Sequence, residues 1–166
     1  PGVGGHCLPI DPSYLSWRVR RLLGQSFRFV ELANDINDHM PDYVVQRVQV
    51  ALNRRRRAVN GARVLLLGLA YKRNTSDDRE SPAVVVADRL VALGADVRAA
   101  DPHVVLQHAD AAVVRVTCTE EEIAAADIVV VLTDHDAFDY DLVRSTASHV
   151  LDTRHRLVPA PNVEFL

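Results

Sequence analysis

The run Arg63-Val64-Leu65-Leu66-Leu67-Gly68-Leu69-Ala70-Tyr71-Lys72-Arg73-Asn74-Thr75-Ser76-Asp77-Asp78-Arg79-Glu80-Ser81-Pro82 settles how this chain folds. Residues 63–69 make an unbroken apolar stretch after one arginine. That is the pattern of a strand buried on both faces of a parallel sheet. Ser81 and Pro82 then open a helix as N-cap and first helical residue. Val84, Val85, Ala87, Leu90 and Val91 carry its apolar face as far as Gly94.

Toward the C-terminus the alternation repeats. Residues 96–100 read as a second strand ending at Asp101-Pro102, and 112–116 as a third. Thr119 and Glu122 have capping-box spacing for a short helix. Residues 128–132 are a further buried strand, and 149–152 are expected to be the last. Alternating strands and helices predict an α/β domain, a doubly wound, Rossmann-like parallel sheet.

In such a sheet ligands bind in the crevice at the carboxyl ends of the strands. The loop 68–82 lies there, and a helix N-terminus favours anions through its unpaired N–H groups. Lys72, Arg73 and Arg79 add positive charge suited to a diphosphate. Asp77, Asp78 and Glu80 fit a plain charged surface loop equally well. No G-x-G-x-x-G follows the strand. Asp101 sits where an NAD domain would carry a ribose-binding acid, but without the glycines it does not make a dinucleotide site. The domain therefore reads as nucleotide-binding rather than NAD-binding.

Upstream the character changes at the turn signal Asn60-Gly61. Residues 1–60 are expected to form a loop and helical segment, and 61–166 the α/β domain. A first helix is predicted over 13–23, ended by Gly24. A second starts at Phe27, with Phe29, Leu32, Ala33 and Ile36 at helical spacing. Pro41 is expected to kink it or restart it. Val44, Val48, Ala51 and Leu52 continue the period to about Arg55. Such a rod must bury its stripe against a following domain or a second subunit. The arginines at 54–57 read as a solvated helix end.

The chain opens with Pro1-Gly2-Val3-Gly4-Gly5-His6-Cys7-Leu8-Pro9-Ile10-Asp11-Pro12. Glycines this dense let a backbone approach a ligand closely. Cys7 fits either a small buried hydrophobe or a presented nucleophile, activated by a neighbouring histidine or helix end. The chain starts with Pro, and this loop stands at its start, so a preceding N-terminal part is expected.

The residues from Gly2 to Pro12 resemble the catalytic-cysteine motif of the UDP-sugar 6-dehydrogenases. Ile10, where the UDP-glucose branch has lysine, makes them most similar to the branch acting on UDP-N-acetylhexosamines such as UDP-N-acetylmannosamine. The segments Gly68 to Lys72, Asp78 to Pro82, Asp101-Pro102 and Asp152-Thr153-Arg154 are similar to that family's C-terminal UDP-binding domain, in the family's order. The resemblance implies an NAD-dependent enzyme that oxidises a sugar C6 alcohol to the acid through a cysteine thiohemiacetal and thioester. Cys7 would be the nucleophile and Asp11 its partner in handling water or a proton. Val3 and Gly4 would offer backbone contacts to the sugar, with Tyr71, Lys72, Arg79 and Arg154 on the UDP portion. NAD would be bound mainly by the absent N-terminal part, and the long helix would form the core of a homodimer. The alternative is a non-catalytic UDP-sugar-binding dimerisation module.

Bulk properties agree with a small intracellular protein. The 166 residues are 48% hydrophobic with a formal net charge of −3, which gives no case for nucleic acid or anionic membrane. Two cysteines far apart, Cys7 and Cys118, suit a reducing, cytoplasmic compartment, with Cys118 structural. No signal peptide or membrane span is visible. The seven histidines show no zinc spacing with the cysteines, and most are expected on the surface or in loops, with His6 alone beside the thiol.

Overall fold

A computed structural model describes residues 1–5, 7, 10–105, 109 and 111–166. His6, Leu8, Pro9 and His108 lie outside the described residues. Two helices come first, α1 (Asp11–Leu23) and α2 (Arg28–Arg54). Then follow β1 (Arg63–Leu67), α3 (Pro82–Ala92), β2 (Asp96–Ala100), β3 (Val114–Arg115), α4 (Glu120–Ala125), β4 (Ile128–Val131), α5 (Tyr140–Thr146), β5 (Val150–Asp152) and β6 (Val163–Phe165). Every strand pairing is parallel, in the order β3-β2-β1-β4-β5-β6. That is the doubly wound order, and it reverses between β1 and β4.

Alternation along β1 divides the core. Val64 and Leu66 face α3 and the second half of α2, packing with Val86, Leu90, Val48 and Leu52. Leu65 and Leu67 face the opposite layer, with Ile123 of α4 and Val143 of α5. The core therefore runs across the change in sequence character at residue 60.

Local signals set most element ends. The Ser81 hydroxyl accepts from the Ala83 N–H, and Thr119 accepts from the Glu122 N–H. Gly24 closes α1 in the left-handed conformation (φ 63°), donating to the Arg20 carbonyl. α1 begins at Asp11 because Pro12, in the first turn, forfeits only an N–H that has no helical partner. Helix α2 continues through Pro41 as one element. The lost hydrogen bond is offset by burial of Pro41 and of Val44, Val45, Val48, Ala51 and Leu52 beyond it.

Several expectations need correction. Residues 149–152 are not the last strand: β6 follows and pairs with β5. Helix α5, capped by the Asp139 carboxylate on the Leu142 N–H, was not anticipated. The arginines at 54–57 are not simply solvated. Arg54 pairs with Glu164 at 3.6 Å, Arg57 with Asp127 at 3.0 Å, and Arg55 bonds His149 Nδ1 at 2.7 Å. Of the described histidines, His135 and His149 are buried, both in connections between elements. Among the described residues no helix is long and apolar enough to cross a membrane.

Candidate functional site

The site is built at the carboxyl ends of β1, β4 and β5. Gly68 leaves β1 with φ 87°, and a Cβ there would lie 2.4 Å from the Thr133 carbonyl oxygen. Only glycine permits this approach of the β1 and β4 exits. The Thr133 hydroxyl donates to the Ala70 carbonyl at 2.6 Å, tying the two loops together. The loop after β1 closes on itself when the Tyr71 N–H donates to the Asp77 carbonyl.

Asp101, at the end of β2, anchors this loop. One carboxylate oxygen accepts from the Leu69 and Ala70 N–H groups at 2.7 and 3.0 Å and from His135 Nε2 at 3.0 Å. The other accepts from the N–H groups of His103 and Val104. Burial pushes this carboxyl up, but the bonds from His135 and the backbone outweigh it and hold it well below the usual carboxylate range. Asp101 is thus committed to the protein's own backbone. With no glycine fingerprint beside it, the described residues do not fit a dinucleotide here.

The cations of the loop differ. Arg79 lies along Asp77, which accepts from its Nε and Nη2 at 2.9 and 2.8 Å. Arg73 pairs with Asp134 and Asp136. Lys72 forms no ion pair with the described residues; its ammonium stands 5.4 Å from the centre of the Tyr71 ring. Arg154 is half-buried at the end of β5, its Nε donating to the Leu132 carbonyl at 2.7 Å. Burial lowers its pKa from the ordinary arginine value. Asp152 shapes that turn by accepting from the N–H groups of Arg154, Arg156 and Leu157.

The glycine-rich loop folds directly onto this place. The Gly5 N–H donates to the Glu80 carbonyl at 3.2 Å. A Cβ on Gly4 would fall 2.5 Å from that same oxygen and 3.1 Å from the Tyr71 Cβ. The missing side chain is what lets this loop close onto Glu80 and Tyr71. Val3 is held from the other side: its N–H donates to Asn37 Oδ1 at 2.7 Å and its carbonyl accepts from Asn37 Nδ2 at 2.9 Å. A cleft of about 260 Å³ runs along this seam, lined by Val3, Asn37, Pro41, Ser81, Pro82 and Arg89.

Cys7 is exposed, one turn ahead of α1, and its carbonyl accepts from the Asp11 N–H at 2.9 Å. Asp11 is exposed in the first turn of α1. Cys118 contrasts with Cys7: burial, then Asp139, pushes its thiol up to about 11, so it stays protonated and inert. The structure thus brings together Val3, Gly4, Tyr71 and the start of α3, with Cys7 on the same loop. It pairs Arg79 within its own loop. Sequence reasoning missed His135, Thr133 and Asn37. Asn37 lies within helical periodicity and carries no local signal for a contact with residue 3.

Residues 65–159 match a family model described as the UDP-glucose/GDP-mannose dehydrogenase family, UDP binding domain. The chain is 38% identical over 138 residues to UDP-N-acetyl-D-mannosamine dehydrogenase of Methanococcus maripaludis, covering 83% of this chain and 30% of that protein. It is 36% identical over 157 residues to NDP-N-acetyl-D-galactosaminuronic acid dehydrogenase of Ralstonia nicotianae, covering 93% and 35%. Among solved structures it resembles the UDP-D-ManNAc dehydrogenase of Pyrococcus horikoshii with TM-score 0.78 and 28% identity, over 99% of this chain and 38% of that one. The chain spans about a third of the length of the curated relatives it matches.

Proposed function

This chain belongs to the UDP-glucose/GDP-mannose dehydrogenase family, and from that membership we propose that it binds a UDP-sugar on the loop after β1 and presents Cys7 to the sugar's C6. The observation that carries this reading is the seating of the glycine-rich loop on Tyr71 and Glu80, which joins the thiol-bearing segment to the nucleotide loop. Tyr71, Lys72 and Arg154 are the residues we assign to the UDP portion. Arg79 joins them only if the ligand draws it away from Asp77. The substrate we infer is a UDP-N-acetylhexosamine, supported by Ile10 and by the names of the relatives.

In the proposed chemistry the Cys7 thiolate adds to a C6 aldehyde. A sulfur–carbon bond forms, and the carbonyl oxygen takes a proton to give a thiohemiacetal. Oxidation of that adduct gives a thioester. Water then adds to its carbonyl, the sulfur–carbon bond breaks, and the acid and the thiol are released. Asp11, one helical turn from Cys7, is the group we assign to take the water's proton. NAD, held by residues other than those described, would be the two-electron oxidant for both oxidations, of the C6 alcohol to that aldehyde and of the thiohemiacetal to the thioester. Thiol chemistry of this kind suits a reducing, cytoplasmic setting. We also assign residues 1–60 to cysteine presentation and to pairing with a second copy, and 61–166 to UDP binding.

These residues alone then bind nucleotide and oxidise nothing. Calorimetry with UDP tests the binding. Lys72→Ala is expected to weaken it about tenfold to a hundredfold, the loss of one charge-assisted hydrogen bond of roughly 1.5–3 kcal/mol. Equal affinity for wild type and variant would move the phosphates off this loop.

A further inference from the structure

We propose that His135 is a positioning residue for the nucleotide loop, acting through its Nδ1 on the peptide of Asn74. The inference rests on the reading that this loop takes up UDP. His135 stands just beyond β4 with no exposed surface. Its Nδ1 accepts the Asn74 N–H at 2.9 Å, so the ring proton sits on Nε2, which donates to Asp101 at 3.0 Å. The Asp101 oxygen that receives it also accepts from Leu69 and Ala70. One aspartate–histidine pair therefore holds both ends of the segment 69–74, and Tyr71 and Lys72 lie between those ends.

The ring is itself locked. Phe138 and His103 meet it edge-on, with ring centres 5.7 and 4.8 Å away. The Tyr140 hydroxyl donates to the His135 carbonyl at 2.8 Å. Lys72 has no ion pair with the described residues to aim it, so the direction of its ammonium follows from the backbone of this segment. Without the Nδ1 acceptor the Asn74 N–H is orphaned, the segment samples other conformations, and each binding event must pay for reordering it.

Two near-isosteric variants separate this role from plain core packing. His135→Asn keeps an acceptor near the place of Nδ1 and gives up the bond to Asp101. His135→Gln keeps a donor toward Asp101 and gives up the acceptor. Calorimetry with UDP is read beside urea unfolding of each variant and beside amide exchange at Asn74. His135→Gln is expected to raise Kd about tenfold and to speed Asn74 exchange, whereas His135→Asn stays within about threefold of wild type. If both variants weaken binding equally, or neither does while the wild type binds, the proposal is overturned and His135 is a packing residue. A wild type that takes no UDP overturns the functional reading, and the proposal falls with it.

Discussion

The two halves of α2 carry the same helical apolar period and have opposite surroundings. Beyond Pro41, Val44 and Val48 are 0% exposed and Leu52 is 1% exposed, all packed on β1, β4 and α3. Before Pro41, Phe29, Leu32 and Ile36 are 76%, 57% and 56% exposed. Helix α1 lies beside that first half and adds Tyr14, Leu15, Trp17, Leu22 and Leu23 to the exposed apolar side chains. A stripe at helical spacing states that a face needs covering but does not state by what. Here one sheet covers half of it, and the other half is the face we assign to a second copy.

The largest effect should come from the covered half. Leu52→Ala is expected to cost about 2–5 kcal/mol in urea unfolding, the range for removing a fully buried leucine side chain. A loss below about 1 kcal/mol would mean that the second half of α2 is not core.

Acid should act on the same half, more gently. His149 is buried where α2 meets β5 and β6, bonded to Arg55 and 3.5 Å from Glu164. Burial first, and Arg55 second, lower its pKa from the ordinary 6.5, against a smaller pull from Glu164. The native state then resists a proton that the unfolded chain accepts, so stability is full above about 6.5 and falls as pH drops below it. Thermal melts across that range should show the decline, and His149→Gln should flatten it. A decline unchanged in the variant would assign the proton to another group.

The smallest change in stability is expected from the uncovered half. Phe29→Ala and Leu32→Glu should each shift unfolding by no more than about 0.5 kcal/mol. Their effect should appear in sedimentation instead, where the wild type is expected to pair at micromolar concentration and the Leu32→Glu chain to run as a monomer. A wild type that runs cleanly as a monomer removes the second copy from the reading.

Legibility in the sequence followed the range of the interaction. β1 could be read because it is an apolar run after one arginine, and β2 because Asp96 and Arg98 alternate with apolar residues ahead of Asp101-Pro102. The Ser81 and Thr119 caps could be read because the accepting hydroxyl and the donating N–H lie two or three residues apart. β6 escaped because three residues among prolines carry no period, and its pairing with β5 decides it. Cys7, Tyr71 and Lys72 could be proposed as site residues from local motifs. The Asp101–His135–Asn74 network could not, because its members come from three different strand exits. The pairing of Arg79 with Asp77, two residues away, could not be read either, since a sequence does not say which of two charges a guanidinium turns to.

The bond between Gly5 and Glu80 has a consequence for the order in which the molecule assembles. Its partners are separated by almost half the chain, whereas β1, α3 and β2 follow one another closely. Closing a long loop costs entropy that only contacts made at the end repay, so neighbouring elements join first. The sheet can therefore be complete while the cysteine-bearing segment is still undocked. Refolding followed by a probe near Cys7 should lag behind refolding followed by the sheet, and the thiol would reach its place last.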